Sequence, residues 1–453
     1  MESVTRKKRL ALPAILAMLL SLAFYLSLAA APLMGYSVLS HEALIDAAWE
    51  PYIVPLLLQR YPNATPAEIE KAHAYAYGGC VIQDMGYYPL GDKYFSTLTH
   101  YVRSGDFVEA LLNDSKNVDE YAFALGALSH YVADNTGHPL AVNVSVPLMY
   151  PSLRRKFGNR VNYEEDPTAH IMTEFSFDVV QITGAGYLPK TYHNYIGFKV
   201  PQALLGEAFL QTYGLKLSKL FWSERLSLWM YRMSASEIIP ELGQIVWRHK
   251  RKEFRRVNPK IVTARFSYRL STENYEVAPG RRSKFHRLRP WRWHWRADLK
   301  RENIRFISKT LVLFVEVMPK VGPLRTLQFK PPTVRVQDLF IEAFDVSVAR
   351  YEADLSALSD GDLILRDDNL DVGQPVRAGR YFLADETYAH LLDGLAKHRF
   401  RNLTPELREN ILAYYSNLDA PAIAKAHPGK WKRTLRELSA LRSVPVETRI
   451  ASH

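Results

Sequence analysis

The stretch GALSHYVADNTGHPLAVN, residues 126–143, sets His130, Asp134 and His138 four apart inside an otherwise apolar run. Residues at that spacing share one helix face, so the three form a polar ladder over two turns on a stripe where leucine would pack better. Pro139 disturbs the end of the ladder, because the residue before a proline is biased away from helical angles. A second pair at the same spacing, His170 and Glu174, follows the helix-opening dipeptide Asp166-Pro167. Imidazole nitrogens and carboxylate oxygens are ligands that zinc accepts, and this spacing lets two of them grip one ion. A lone histidine on an apolar helix is usually a hydrogen-bonded core residue. A row of ionisable groups among Ala, Leu and Val is costly to bury unless something pairs with all of them, and a divalent cation does so.

Helix signals extend outward from this stretch. Thr65-Pro66-Ala67-Glu68 combines an N-cap, a proline at the first helical position and a capping-box glutamate. Asp106 to Glu109 and Asn117 to Glu120 repeat the spacing. Residues 40–245 therefore read as a series of helices, and helical patterns resume at 310–318, 336–358, 387–397, 405–418 and 430–441. With no strand-rich region and no internal repeat, the expected fold class is all-α: a multi-helix domain followed by a smaller helical carboxy-terminal unit.

The chain has 453 residues, 47% of them hydrophobic, which is ample for a buried core. The single cysteine, Cys80, excludes an intrachain disulfide framework. A basic patch, Arg6 to Arg9, precedes an apolar run over 10–34, long enough to span a bilayer core that needs roughly 20 apolar residues. Residues 1–35 thus read as an export signal or a membrane anchor. The expected location is exported, periplasmic or extracellular, with anchoring through residues 10–34 as the alternative. The net charge of +11 is concentrated: residues 248–305 carry 19 Lys and Arg against 5 Asp and Glu, and the remainder 39 against 42. The expected division is a leader at 1–35, a catalytic domain at 36–247, a basic, tryptophan-rich linker at 248–300 and a helical unit at 301–453.

In order along the chain, GYSVLSHEALIDAAW, GGCVIQDMGYYP, FSTLTHYV, ALSHYVADNTGHP and AHIMTEF resemble the zinc-dependent phospholipase C family. That family is related by fold to the fungal single-strand nucleases and to the amino-terminal domain of glycosylphosphatidylinositol-specific phospholipase D. The resemblance implies an all-helical domain with three zinc ions. One would be held by Asp84, His100, His130 and Asp134, and a second by His138, His170 and Glu174. The third would take His41, Asp134 as a bridge, and the amino group and carbonyl of Tyr36, which becomes the first residue if the leader is cut after Gly35. His138 follows Asp134 more closely than the family usually spaces them, and Tyr36 stands where the nucleases carry tryptophan. Asp92 competes with Asp84 for its role, but Asp92 beside Gly91 reads as a turn residue, whereas QDMGYYP suits a carboxylate aimed into a cleft.

The implied reaction is phosphodiester hydrolysis by zinc-activated hydroxide, with Asp84 orienting or deprotonating the attacking water. Phospholipid at a membrane surface is the expected substrate. The basic segment with Trp291, Trp293 and Trp295 would meet anionic lipid, stack on nucleic-acid bases, or lie as a solvated loop. A single-strand nuclease and an exported binding protein with purely structural zinc are the alternatives; no protein partner is deducible. Tyr75, Tyr77, Tyr87 and Tyr88 read as core or as the lining of a substrate mouth, and His73, His193 and Glu164 to Asp166 as surface or capping residues. Residues 367–388, acidic but irregular, read as a connection between helices that helps dock the two domains.

Overall fold

The structure, a computed structural model, describes residues 38–184, 198–235, 329–416 and 426–444, with shorter pieces at 239, 250 and 252–257. It is all-α. In chain order the helices are α1 Val38–Ala48, α2 Val54–Arg60, α3 Pro66–Gly79, α4 Lys93–Tyr101, α5 Ser104–Asp114, α6 Val118–Gly137, α7 Asn143–Met149 and α8 Pro151–Phe157. There follow α9 Pro167–Gly184, α10 Gln202–Tyr213, α11 Glu224–Met233, α12 Val334–Asp360, α13 Phe382–Lys397, α14 Pro405–Tyr414 and α15 Pro428–Ser443. Wide π turns at Trp49–Ile53 and His138–Val142 lead into α2 and α7, and a tight 3-10 turn, Ile82–Tyr87, sits between α3 and α4. Two short antiparallel strands, β1 Asp368–Asn369 and β2 Gln374–Pro375, pair as a hairpin.

Helix α6 is the axis of the fold. Its start is set by Asn117, whose side chain accepts the Glu120 N–H at 3.0 Å, and every residue from Tyr121 to Asp134 is buried. A helix apolar on all sides must be surrounded by other helices. On one side lies α3, which opens with the capping box predicted for Thr65 and Glu68. The two cross at backbone contact: a Cβ on Gly126 would lie 2.1 Å from the Ala76 carbonyl oxygen, and one on Gly79 would lie 2.0 Å from that of Phe123. Only hydrogen fits at either position. Helix propensity alone favours alanine over glycine by about 1 kcal/mol, whereas forcing the two backbones apart costs about 3 kcal/mol. Gly126→Ala is therefore expected to lower the melting temperature, and a rise on thermal unfolding would contradict this packing.

The opposite side of α6 is covered by α12. Tyr351 donates its hydroxyl to the Leu125 carbonyl at 2.9 Å, and Phe340 of α12 stacks on Phe177 of α9 with centroids 4.5 Å apart. Helices on both sides of the basic segment therefore contribute to one apolar cluster, which joins Ile45, Leu57, Phe123 and Leu128 to Val348, Leu365, Leu391 and Ile411. Helix α5 begins earlier than expected. Asp106 lies inside its first turn, not at its cap, and the preceding Arg103 takes a left-handed conformation at φ 49°. The amides of Gly105 and Asp106 are met instead by Asp367 Oδ1 at 3.1 and 3.2 Å, a cap supplied from more than 250 residues away. The expected leader, Tyr36, His193, the helix at 310–318 and nearly all of the basic segment, with Trp291, Trp293 and Trp295, lie outside the described residues. Among the described residues no helix is long and apolar enough to cross a membrane.

Candidate metal centre

Six separate elements bring the chemistry-bearing residues to one place. His41 comes from α1, Asp84 from the 3-10 turn, His100 from the last turn of α4, His130 and Asp134 from α6, and His170 and Glu174 from α9. His138 stands at the start of the π turn, where α6 stops being regular just before Pro139. None of the eight is more than 3% exposed. Asp134 is at the centre. Its Oδ2 lies 3.1 Å from His130 Nε2 and 3.3 Å from His100 Nε2, and its Oδ1 lies 3.4 Å from His41 Nε2 and 3.7 Å from His138 Nε2. His100 Nε2 is also 3.3 Å from Asp84 Oδ1, and the rings of His41 and His130 stack at 4.4 Å. On the far side, Glu174 Oε1 lies 2.9 Å from His170 Nε2 and 3.2 Å from His138 Nε2.

Three groups have ligand atoms close enough to share an ion, all within 4.8 Å of one another: His41 with His130 and Asp134, Asp84 with His100 and His130, and His138 with His170 and Glu174. Both oxygens of Asp84, Asp134 and Glu174 are buried, and no hydroxyl, amide or ammonium group among the described residues satisfies them. Buried carboxylates in that condition are costly. A cluster of cations would relieve the cost, and the mixture of imidazole and carboxylate donors is the set that zinc takes. The residues present therefore fit zinc.

The local fields are uneven. Burial pushes His41 well below its ordinary value, reinforced by neighbouring His130. Burial also raises the Asp84 carboxyl. At Asp134 burial works in the same direction, but His130 and His138 outweigh it and hold the carboxyl well below the usual range. Burial opposes charge on His100, yet its hydrogen bonds to Asp134 and Asp84 push it up to about 10. Two fully enclosed carboxylates in one centre are thus driven in opposite directions.

Asp92 caps α4, accepting the Tyr94 N–H at 2.9 Å, and stays out of the cluster. Of the tyrosines singled out, Tyr77, Tyr87 and Tyr88 are buried, with the Tyr87 ring 5.9 Å from that of His100. His73, expected at the surface, is buried: its ring stacks on Trp49 at 3.8 Å and Nε2 lies 3.1 Å from Asp46 Oδ1. Asp166 caps α9 through the Ala169 N–H at 2.8 Å, and Glu164 reaches across to accept the Leu383 N–H at 3.2 Å. One residue was not anticipated. Asp371, from the hairpin between α12 and α13, places Oδ1 3.3 Å from His138 Nδ1. Burial would raise its carboxyl, but the hydrogen bond from His138 brings it down to about 2.

Residues 40–223 match the family described as zinc dependent phospholipase C, and this segment contains all eight clustered ligand candidates. No curated protein and no solved structure matches the chain. The matched segment is thus similar to the zinc-dependent phospholipase C family, a family of phosphodiester hydrolases.

Proposed function

We propose that the protein hydrolyses phospholipid between glycerol and phosphate, releasing diacylglycerol and a phosphorylated head group, with three zinc ions at this centre. The observation that carries the reading is the single Asp134 carboxylate, reached by four imidazoles at 3.1 to 3.7 Å, which links the groups into one centre. Asp84, His100, His130 and Asp134 would hold one ion, His138, His170 and Glu174 another, and His41, Asp134 and Tyr36 the third. When bound, the ions supply Lewis acidity toward phosphate oxygens and make water a nucleophile near neutral pH. Asp84, raised by burial, orients the attacking water and accepts its proton. Asp134 keeps its charge and fixes the histidines. The protein acts after export, and the basic tryptophan-rich segment rests on the lipid surface, attracted to anionic head groups.

The test offers purified protein two substrates side by side, phosphatidylcholine vesicles and single-stranded DNA, with metal content measured on the same sample. Zinc above one ion per chain with release of phosphocholine and intact DNA is the expected result. Digestion of the DNA without phosphocholine release would replace the lipid reading with a nuclease, and zinc without turnover of either would leave the ions a structural role.

A further inference from the structure

The family match ends at residue 223, but the centre does not. We infer that Asp371, carried on the β1–β2 hairpin, is a positioning residue for the metal centre, fixing His138 from behind, so that the centre is completed by chain beyond residue 328. The inference rests on the reading that His138, His170 and Glu174 hold an ion.

An imidazole that binds a metal through Nε2 must carry its proton on Nδ1, and whatever accepts that proton sets both the tautomer and the ring's rotation. His100 and His130 have such partners in backbone carbonyls: His100 Nδ1 lies 2.8 Å from Ser96 O, and His130 Nδ1 lies 3.1 Å from Cys80 O. His138 has a carboxylate. Its Nε2 faces Glu174 at 3.2 Å while Nδ1, across the ring, faces Asp371 at 3.3 Å. Asp371 is thus an outer partner of the ring and not a fourth ligand of the same group.

Asp371 is itself immobilised. Its Oδ2 accepts the Tyr101 hydroxyl at 2.7 Å and the Tyr381 hydroxyl, leaving Oδ1 toward the histidine. Its backbone carbonyl accepts the Asn143 amide at 2.7 Å, and its N–H donates to Asn369 Oδ1 at 3.0 Å. The preceding Leu370 N–H donates to the His100 carbonyl at 3.1 Å, tying the hairpin to a second ligand-bearing helix.

The test compares full-length wild type with Asp371→Asn, Tyr381→Phe and Tyr131→Phe. Tyr131 docks the same segment, donating to the Arg366 carbonyl at 2.8 Å, without touching a ligand. Each protein is loaded with zinc or cobalt, then challenged with graded chelator, while the cobalt ligand-field spectrum and melting temperature are recorded. Asp371→Asn should release one ion at roughly 10- to 100-fold lower chelator strength, with a changed cobalt band for that ion and the others unaffected. Tyr381→Phe, which keeps the carboxylate but removes one hydroxyl holding it, should loosen the same ion less. Tyr131→Phe should lower the melting temperature and leave the ion in place. Full retention of every ion with an unchanged spectrum in Asp371→Asn and Tyr381→Phe would overturn the inference, as would equal loosening by Tyr131→Phe. Wild type that binds no zinc would overturn instead the metal reading beneath it.

Discussion

Asp134→Asn is expected to cut turnover by about 10²- to 10³-fold in kcat/KM, the range reached when one group that organises charge at a reacting centre is lost. The substitution keeps the shape of the side chain and changes little else in the packing. It removes a negative charge in contact with His41, His100, His130 and His138 and replaces one acceptor oxygen by an N–H donor. No other carboxylate among the described residues touches four of the imidazoles, so nothing nearby can take over the bridge. Bound zinc should fall by at least one ion per chain. A variant that turns over phosphatidylcholine at the wild-type rate, with its full metal content, would sink the shared-bridge arrangement.

Removal of divalent cations with a chelator should do more than stop the reaction. Six carboxylate oxygens, on Asp84, Asp134 and Glu174, are buried without hydroxyl, amide or ammonium donors, and their compensation goes with the ions. A ligand present at a thousand times its dissociation constant stabilises the folded state by about 4 kcal/mol. For a domain of this size that corresponds to a fall in melting temperature on the order of 10 °C for each ion lost. Thermal unfolding with and without chelator, and after zinc is restored, measures it. Identical melting curves in all three would mean that the cluster is stable through its own ion pairs and that cations contribute nothing to the fold.

Much of this centre could be read from the chain because helices repeat. His130, Asp134 and His138, and then His170 and Glu174, follow the four-residue spacing that puts side chains on one face. Local caps such as Thr65 with Glu68 and Asn117 with Glu120 stand where the sequence puts them. What could not be read is what one segment does for another across the fold. Asp106 resembles a cap, but Asp367 does that work from a distant loop. His73 carries no mark of burial in its own neighbourhood; the stacking partner that buries it, Trp49, lies on the turn after α1. Asp371 sits in an acidic stretch of irregular spacing, and its partner His138 is more than 200 residues earlier. Periodicity reports only on neighbours within an element. The leader at 1–35 and Tyr36 fall outside the described residues.

The glycine-to-backbone crossing of α3 and α6 reaches past thermal stability. Gly126 lies one turn before His130, and Ala76, whose carbonyl faces it, lies one turn before Cys80, whose carbonyl meets the ring of His130. The separation of these two rods is therefore a gauge for the coordination geometry, and metal sites tolerate errors of only about 0.2 Å in their bond lengths. A wedge inserted at this crossing would be felt as altered choice among cations of different radius, even in a chain that still folds.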